Sequence, residues 1–258
     1  MSKPRPRNRD ESAKRRKPRG KASSGETWLW GQHAVSAALA NPKRRFKRVF
    51  ATKNAAERAK LEVGTFQSVS PTDLSDVLPS GAVHQGLAAE VEALVPVHLD
   101  DLIASGAKRL VVLDQMNDPH NLGAVFRSAA AFGFGGIILQ DRNTPPITGV
   151  VAKSAAGAIE TVAECRVVNI ARALDRLGVE GFHTIGLSGD GVSVIGDAVR
   201  GAEKVAIVLG AEGSGLRPGV AKACAEIAKI PMTPGMESLN VSNAAAIAFY
   251  EIFRGQRS

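Results

Sequence analysis

Residues 109–140, "RLVVLDQMNDPHNLGAVFRSAAAFGFGGIILQ", read as strand, helix and strand in succession. "LVVLD" (110–114) and "GGIILQ" (135–140) are short unbroken apolar runs, the pattern of strands buried on both faces. Between them, Asp118 before Pro119 makes a helix N-cap with proline at the first helical position. Leu122, Val125, Phe126, Ala129 and Ala130 then recur on one face of a helix over 121–132. The alternation continues downstream with a helix at "VVAKSAAGAIE" (150–160), a strand, a helix at "ARALDRLG" (171–178), strands at "HTIGLS" (183–188) and "KVAIVLG" (204–210), and a long final helix. Such an order predicts an α/β fold with a parallel sheet covered on both faces. In sheets of that kind ligands bind beyond the carboxyl ends of the strands.

Upstream, "GQHAVSAALA" (31–40) reads as a helix stopped by Asn41 and Pro42. "FKRVFA" (46–51) reads as a strand, "NAAERAKLE" (54–62) as a helix, and "QGLAAEVEAL" (85–94) as an alternating strand. The chain thus divides into a basic tail (1–25), a small α/β unit (26–95), a linker with a short helix (96–107) and the larger unit (108–258). Five basic residues surround Phe46 in "KRRFKR", residues 43–48. They could contact RNA phosphates or form a solvated face, and the sequence leaves both open.

The net charge of +8 resides in the tail: residues 1–22 carry ten Lys or Arg against Asp10 and Glu11, and the remaining 23 basic and 23 acidic residues cancel. A Pro- and Arg-rich segment with no apolar residues of note cannot offset its chain entropy by burial, so disorder and a polyanionic partner are expected there. Two cysteines, Cys165 and Cys224, give no pairing framework and fit a reducing, cytoplasmic compartment. No window approaches a membrane span, no apolar signal segment follows the basic tail, and no metal-ligand set is expected.

Three loops follow strand ends. In the first, Gly123 and Arg127 sit four residues apart on one helix face. Gly123 is expected to leave a gap through which a ligand approaches Arg127, with Asn121 as a second polar group nearby. The second, "VAIVLGAEGSGLRPG" (205–219), is a glycine-rich loop in which Glu212 would repel phosphate, so a neutral or cationic ligand such as a sulfonium fits better. The run "GVVAKS" lacks the second glycine of a phosphate-binding loop, and no G-x-G-x-x-G follows the first strand, which weighs against a dinucleotide enzyme. The third, "AKIPMTPGMESLNVSN" (228–243), clusters Glu237, Ser238, Asn240 and Ser242 ahead of an alanine-rich helix. Helix capping accounts for one or two of these polar residues, not for all of them.

In this order the three loops resemble the motifs of the SpoU branch of the trefoil-knot (SPOUT) RNA methyltransferases: "NDPHNLGAVFRSAAAFG", "IVLGAEGSGL" and "IPMTPGMESLNVSNAAAIAFYE". The resemblance covers roughly residues 108–256. "WGQHAVSAAL" and "HQGLAAEV" are similar to the small ribosomal-protein-like substrate-binding domain of bacterial members that methylate a guanosine of 23S ribosomal RNA.

The resemblance implies a deep trefoil knot, S-adenosylmethionine as cofactor, RNA as substrate, and a homodimer through the knot region and the C-terminal helix. It implies 2'-O-methylation of a ribose, with Arg127 as the catalytic arginine and Asn121, Glu212, Ser238 and Asn240 completing the substrate side. Gly210, Ile230 and Leu239 would hold the cofactor, largely through backbone groups. Asn243 stands where members often carry an aliphatic or small residue. A guanidinium stays protonated, so Arg127 is expected to fix a phosphate or polarise the hydroxyl, with the proton leaving to a phosphate oxygen or water. A transfer RNA methyltransferase and a non-catalytic RNA-binding or assembly protein remain alternatives.

Overall fold

A computed structural model describes residues 26–142, 144–235 and 238–255; the basic tail and Glu237 lie outside them. The first unit comprises β1 (Glu26–Trp30), α1 (Gln32–Ala40), β2 (Phe46–Ala51), α2 (Lys53–Arg58), β3 (Gln67–Ser68), α3 (Pro71–Val77) and β4 (Leu87–Glu92). Its sheet has the order β1-β4-β2-β3, with β4 antiparallel to both β1 and β2.

The second unit runs α4 (Leu99–Ala104), β5 (Arg109–Leu113), α5 (Pro119–Ala131), β6 (Gly136–Gln140), α6 (Gly149–Ala155), β7 (Ala163–Val167), α7 (Ile170–Val179) and β8 (Phe182–Leu187). It continues with β9 (Ser193–Val194), α8 (Ile195–Ala198), β10 (Lys204–Leu209), α9 (Pro218–Ala223), β11 (Glu226–Lys229) and α10 (Val241–Gly255). Seven strands form one sheet in the order β7-β6-β5-β10-β8-β11-β9, and every pairing is parallel. β10 comes late in the chain yet lies between β5 and β8, so strand order reverses beside β5, the place where such sheets open a ligand crevice.

The opening stretch folds as its pattern predicts. Asp118 accepts the His120 backbone N–H at 2.9 Å, Pro119 begins α5, and Leu122, Val125, Phe126 and Ala129 are buried while Ala130 is half-buried. Phe126 and Phe249 are fully enclosed, each contributing about 1.5–3 kcal/mol by burial. The ring of Phe249 lies 4.3 Å from that of Phe134, which fixes α10 across α5.

Two expectations change, and two elements lie outside the sequence reading. "QGLAAEVEAL" is not an alternating strand: Leu87 through Val91 are all buried, because β4 is a central strand with Leu87, Ala89 and Val91 on the main core and Ala88 on an aromatic cluster with Trp28, Trp30 and Phe50. "ETWLW" (26–30), outside the elements read from the sequence, is β1. The helix expected over 150–160 ends at Ala155, since Ala156 and Gly157 take φ values of 51° and 95° and turn the chain into a short 3-10 segment, Ala158–Glu160. α3 was unread, although Ser70 and Asp73 form a capping box ahead of it with Pro71 in its first turn.

The "KRRFKR" cluster follows neither reading as a whole. Arg44 is buried and grips Glu160 of the second unit, with Nη2 and Nε at 2.6 and 3.1 Å from its carboxylate oxygens, and Nη1 also donates to Glu92 O at 2.9 Å. Arg48 pairs with buried Glu90 and lies 5.4 Å from the Phe50 ring. Lys43, Arg45 and Lys47 face outward. Phe46 pairs with Val91 and packs on the main core, a register shift follows it, and Arg48 then pairs with Glu90 on the aromatic-cluster face, so two of the five cations serve the fold. Among the described residues no helix is long and apolar enough to cross a membrane.

Candidate functional site

At the carboxyl ends of β8, β10 and β11 the chain encloses a cavity of about 350 Å³. Leu187, Leu209, Ile230, Met232, Leu239 and Val241 make its apolar walls. Gly210, Glu212 and Ser238 also line it, so five of the residues singled out in the sequence (Gly210, Glu212, Ile230, Ser238 and Leu239) meet in one place. Among the described residues, the charged groups in the lining are two carboxylates, Asp190 and Glu212, with no Lys or Arg. That donor set suits a ligand with an apolar body and a cationic or neutral head, and it opposes a pyrophosphate.

Gly210 shapes the loop itself. A Cβ on it would lie 2.1 Å from the carbonyl carbon of Gly215, because the loop doubles back through paired Ala211 and Gly215 hydrogen bonds of 3.1 and 3.0 Å. The loop is also tied down from below. Asp114, buried at the end of β5, accepts from Arg217 Nε at 2.8 Å and from the Arg217 backbone N–H at 3.1 Å, while Arg217 Nη2 donates to Gln140 at 3.1 Å. Arg217 is the N-cap of α9, so this pair sets where the glycine loop ends. The sequence reading missed Asp114, Arg217 and the "LSGDG" wall (187–191). The available signals were an aspartate ending an apolar strand and a Ser-Gly-Asp-Gly run after another.

Beside the cavity, three side chains, one from the first turn of α5 and two from separate loops, form a polar chain. Asn240 Nδ2 donates to Asn121 Oδ1 at 3.1 Å, and Asn121 Nδ2 donates to Glu212 Oε2 at 3.4 Å. Asn121 is buried, so its amide needs these partners. Asn240 also caps α10, its Oδ1 accepting the Ser242 hydroxyl at 2.6 Å and the Ser242 backbone N–H at 2.9 Å. Asn243 joins only through its backbone N–H, 3.4 Å from the same oxygen, and its side chain is exposed. One asparagine thus serves both the cap and the polar cluster.

Arg127 stands apart from this group. It lies six residues beyond Asn121 on α5, about 9 Å along the axis and on a different face, and it is exposed with no hydrogen-bond or ion-pair partner among the described residues. The gap expected at Gly123 is absent. A Cβ there would lie 2.5 Å from Ser154 Cβ and 2.6 Å from Val151 O, so the missing side chain admits α6 rather than a ligand. Gly123→Ala is therefore expected to cost about 1–3 kcal/mol by overpacking, read as a lower urea midpoint. An unchanged midpoint would mean that α6 moves aside freely.

Burial pushes the Cys165 and Cys224 thiols up to about 11, so both stay protonated near neutrality and neither is a nucleophile. A second cavity of about 360 Å³ lies at the junction of the units between Leu29, Val97, Phe126 and Ile159. It borders the buried Arg44–Glu160 pair, away from the strand ends.

Residues 108–250 match the SpoU rRNA Methylase family, and residues 28–97 match the family described as RNA 2'-O ribose methyltransferase substrate binding. The 23S rRNA (guanosine-2'-O-)-methyltransferase RlmB of Vibrio vulnificus is 35% identical over 239 residues, covering 88% of this chain and 96% of its own. An uncharacterized tRNA/rRNA methyltransferase of Synechocystis sp. is 37% identical over 240 residues, 88% of this chain. The chain spans 62% of that relative's length and 64% of the length of a similar Mycobacterium leprae protein. Among solved structures, the SpoU methyltransferase AviRb from Streptomyces viridochromogenes in complex with AdoMet has the same fold, with a TM-score of 0.77 at 21% identity over 91% of this chain and 92% of that one. Both family matches, on a parallel sheet whose glycine-rich loop and third loop meet at one cavity, place the protein: the chain belongs to the SpoU rRNA methylase family.

Proposed function

We propose that this protein transfers a methyl group from S-adenosylmethionine to a ribose 2'-hydroxyl, in a guanosine of 23S ribosomal RNA. The observation that carries the reading is the Asn240–Asn121–Glu212 chain beside a cavity whose charged lining among the described residues is two carboxylates. The named activity of the Vibrio vulnificus relative, covered over 96% of its length, supports the ribosomal substrate. When bound, S-adenosylmethionine supplies an electrophilic methyl carbon on a cationic sulfonium.

The residues take these roles. Gly210, Ile230 and Leu239 hold the cofactor against the apolar walls, and Glu212 provides the counter-charge. Asn121 and Asn240 fix the Glu212 carboxylate, and Ser238 faces the same space. Arg127 reaches the substrate. It fixes a phosphate or polarises the ribose hydroxyl, and the proton leaves to a phosphate oxygen or water as the ribose oxygen takes the methyl group from the sulfonium sulfur. Most of the rate then comes from alignment for an in-line displacement. The reading carries with it the knot of the family, a cytoplasmic location, and a homodimer through the knot region and α10, where Ile247 and Tyr250 are exposed.

The test incubates the protein with methyl-labelled S-adenosylmethionine and, separately, unmodified 23S ribosomal RNA and transfer RNA, then identifies the labelled nucleoside. Label in 2'-O-methylguanosine of 23S RNA is expected. Label confined to transfer RNA keeps the chemistry and rejects the substrate. Cofactor binding without label in either RNA favours a binding or assembly protein.

A further inference from the structure

Where the two units meet, Lys153 and Arg58 gather with no carboxylate partner among the described residues. Lys153 of α6 reaches across to the first unit, with Nζ 3.3 Å from Gln85 Oε1 and so close to Gly31 that a Cβ there would lie 2.3 Å from it. Gln85 takes φ 55°, a left-handed conformation that a non-glycine residue keeps only when its surroundings enforce it. Arg58 Nη2 donates to the Gln85 carbonyl at 3.1 Å, and Gln85 Oε1 also accepts the Gln32 backbone N–H at 3.1 Å at the start of α1. With Oε1 serving two donors, the exposed amide of Gln85 keeps its N–H groups without a partner among the described residues. A strained loop therefore holds two further donors beside Lys153 and Arg58.

The contrast with other cations is informative. Arg44, Arg48 and Arg166 each pair with a glutamate, whereas neither Lys153 nor Arg58 has an ion-pair partner among the described residues. Burial lowers the Lys153 pKa with no carboxylate opposing it, and the neighbouring His84 is lowered by burial and then by Lys153 itself. An anion arriving here would relieve both. The place is also connected to the proposed reaction centre. Ser154, next to Lys153, has its hydroxyl 3.3 Å from His120 Nδ1, and His120 precedes Asn121.

We propose that Lys153, Arg58 and the Gln85 amide form a composite seat for one RNA backbone phosphate, spanning both units and fixing the strand that leads to the methyl-transfer site. The proposal rests on the RNA methylation reading. Lys153 is a substrate-positioning residue, and Gln85 is held in its strained conformation to turn its amide N–H groups toward the phosphate. The seat exists only when the two units are in register, so it ties RNA binding to their arrangement.

The test uses full-length wild type, Lys153→Ala, Lys153→Arg and Gln85→Ala with an unmodified 23S ribosomal RNA transcript. Binding is measured from roughly 50 to 200 mM salt, alongside methyl transfer. Lys153→Ala is expected to bind RNA about tenfold more weakly, with the slope of log K against log salt reduced by about 0.7–1. KM for RNA should rise while kcat and cofactor affinity hold, and Lys153→Arg should recover most of the loss. Gln85→Ala should weaken binding with little change in slope. A Lys153→Ala protein with wild-type affinity and slope, whether or not it melts earlier, makes the contact a strut between the units and overturns the seat. Inorganic phosphate that stabilises wild type but not Lys153→Ala, with RNA binding unaltered by the substitution, makes it a free-anion site and likewise overturns the proposal. Wild type that binds no RNA rejects the methylation reading together with the seat.

Discussion

Arg127→Ala is expected to lower methyl transfer by about 10²–10³-fold, the usual cost of removing one group that stabilises developing charge. Its stability should stay within about 0.5 kcal/mol of wild type. The two halves of that result come from one observation: Arg127 is exposed on α5 with no protein partner among the described residues, so the fold does not use it. Single-turnover methylation with saturating cofactor, beside a urea titration, measures both. Arg127→Lys should remain well below wild type, because a lysine keeps the charge but not the planar fork. Near-normal turnover by the lysine variant would reject a geometric role for the guanidinium, and a large stability loss in the alanine variant would make Arg127 structural.

Glu160→Ala is expected to cost about 3–5 kcal/mol, because it strands a buried guanidinium. Arg44 and Glu160 side chains are only 3% and 2% exposed, and Asn41 Nδ2 donates to the same carboxylate at 2.8 Å. On a domain whose whole stability is about 5–15 kcal/mol, this is a large fraction. At roughly 2–4 °C per kcal/mol, the melting point should fall by about 6–20 °C. Replacing both partners, Arg44→Met with Glu160→Leu, should recover much of the loss, since it is the unpaired charge that is expensive. The comparison needs thermal and urea unfolding of the single and double variants. A single variant within about 1 kcal/mol of wild type would mean that water reaches Arg44, and the pair would then not hold the two units together.

Local chemistry was legible where the deciding forces are local. The Asp118–Pro119 start of α5, its buried apolar face, and the unbroken runs of β5, β6 and β10 follow from capping, helical periodicity and the demand of a doubly covered sheet. The three polar loops could also be picked out, because polar residues and glycines following buried strands have few structural uses. Some local errors were avoidable: Ser70 and Asp73 carry a complete capping signal, and "LSGDG" is a fourth strand-end loop.

Other features had no local signature. Gly123 and Arg127 looked like a gap and a ligand-facing cation, but only the position of α6 shows that the gap is filled by Val151 and Ser154. "KRRFKR" looked like a uniform basic patch, but Glu160, more than a hundred residues away, claims Arg44, and Glu90 claims Arg48. β4 looked half-exposed because its alanines and Glu90 suggest alternation, while its place between β1 and β2 buries both faces.

The sequence by itself determined the α/β class, the course of α5 and which loops carry polar groups, because capping, periodicity and strand burial act between residues close in the chain. Tertiary structure alone decided that β10 lies between β5 and β8, that Asn121, Glu212 and Asn240 join in one hydrogen-bonded chain, and that Lys153 meets Gln85. Strand order and loop convergence depend on which distant surfaces bury each other. That free energy is non-directional and belongs to the packed pair, so it leaves no mark in either segment read alone.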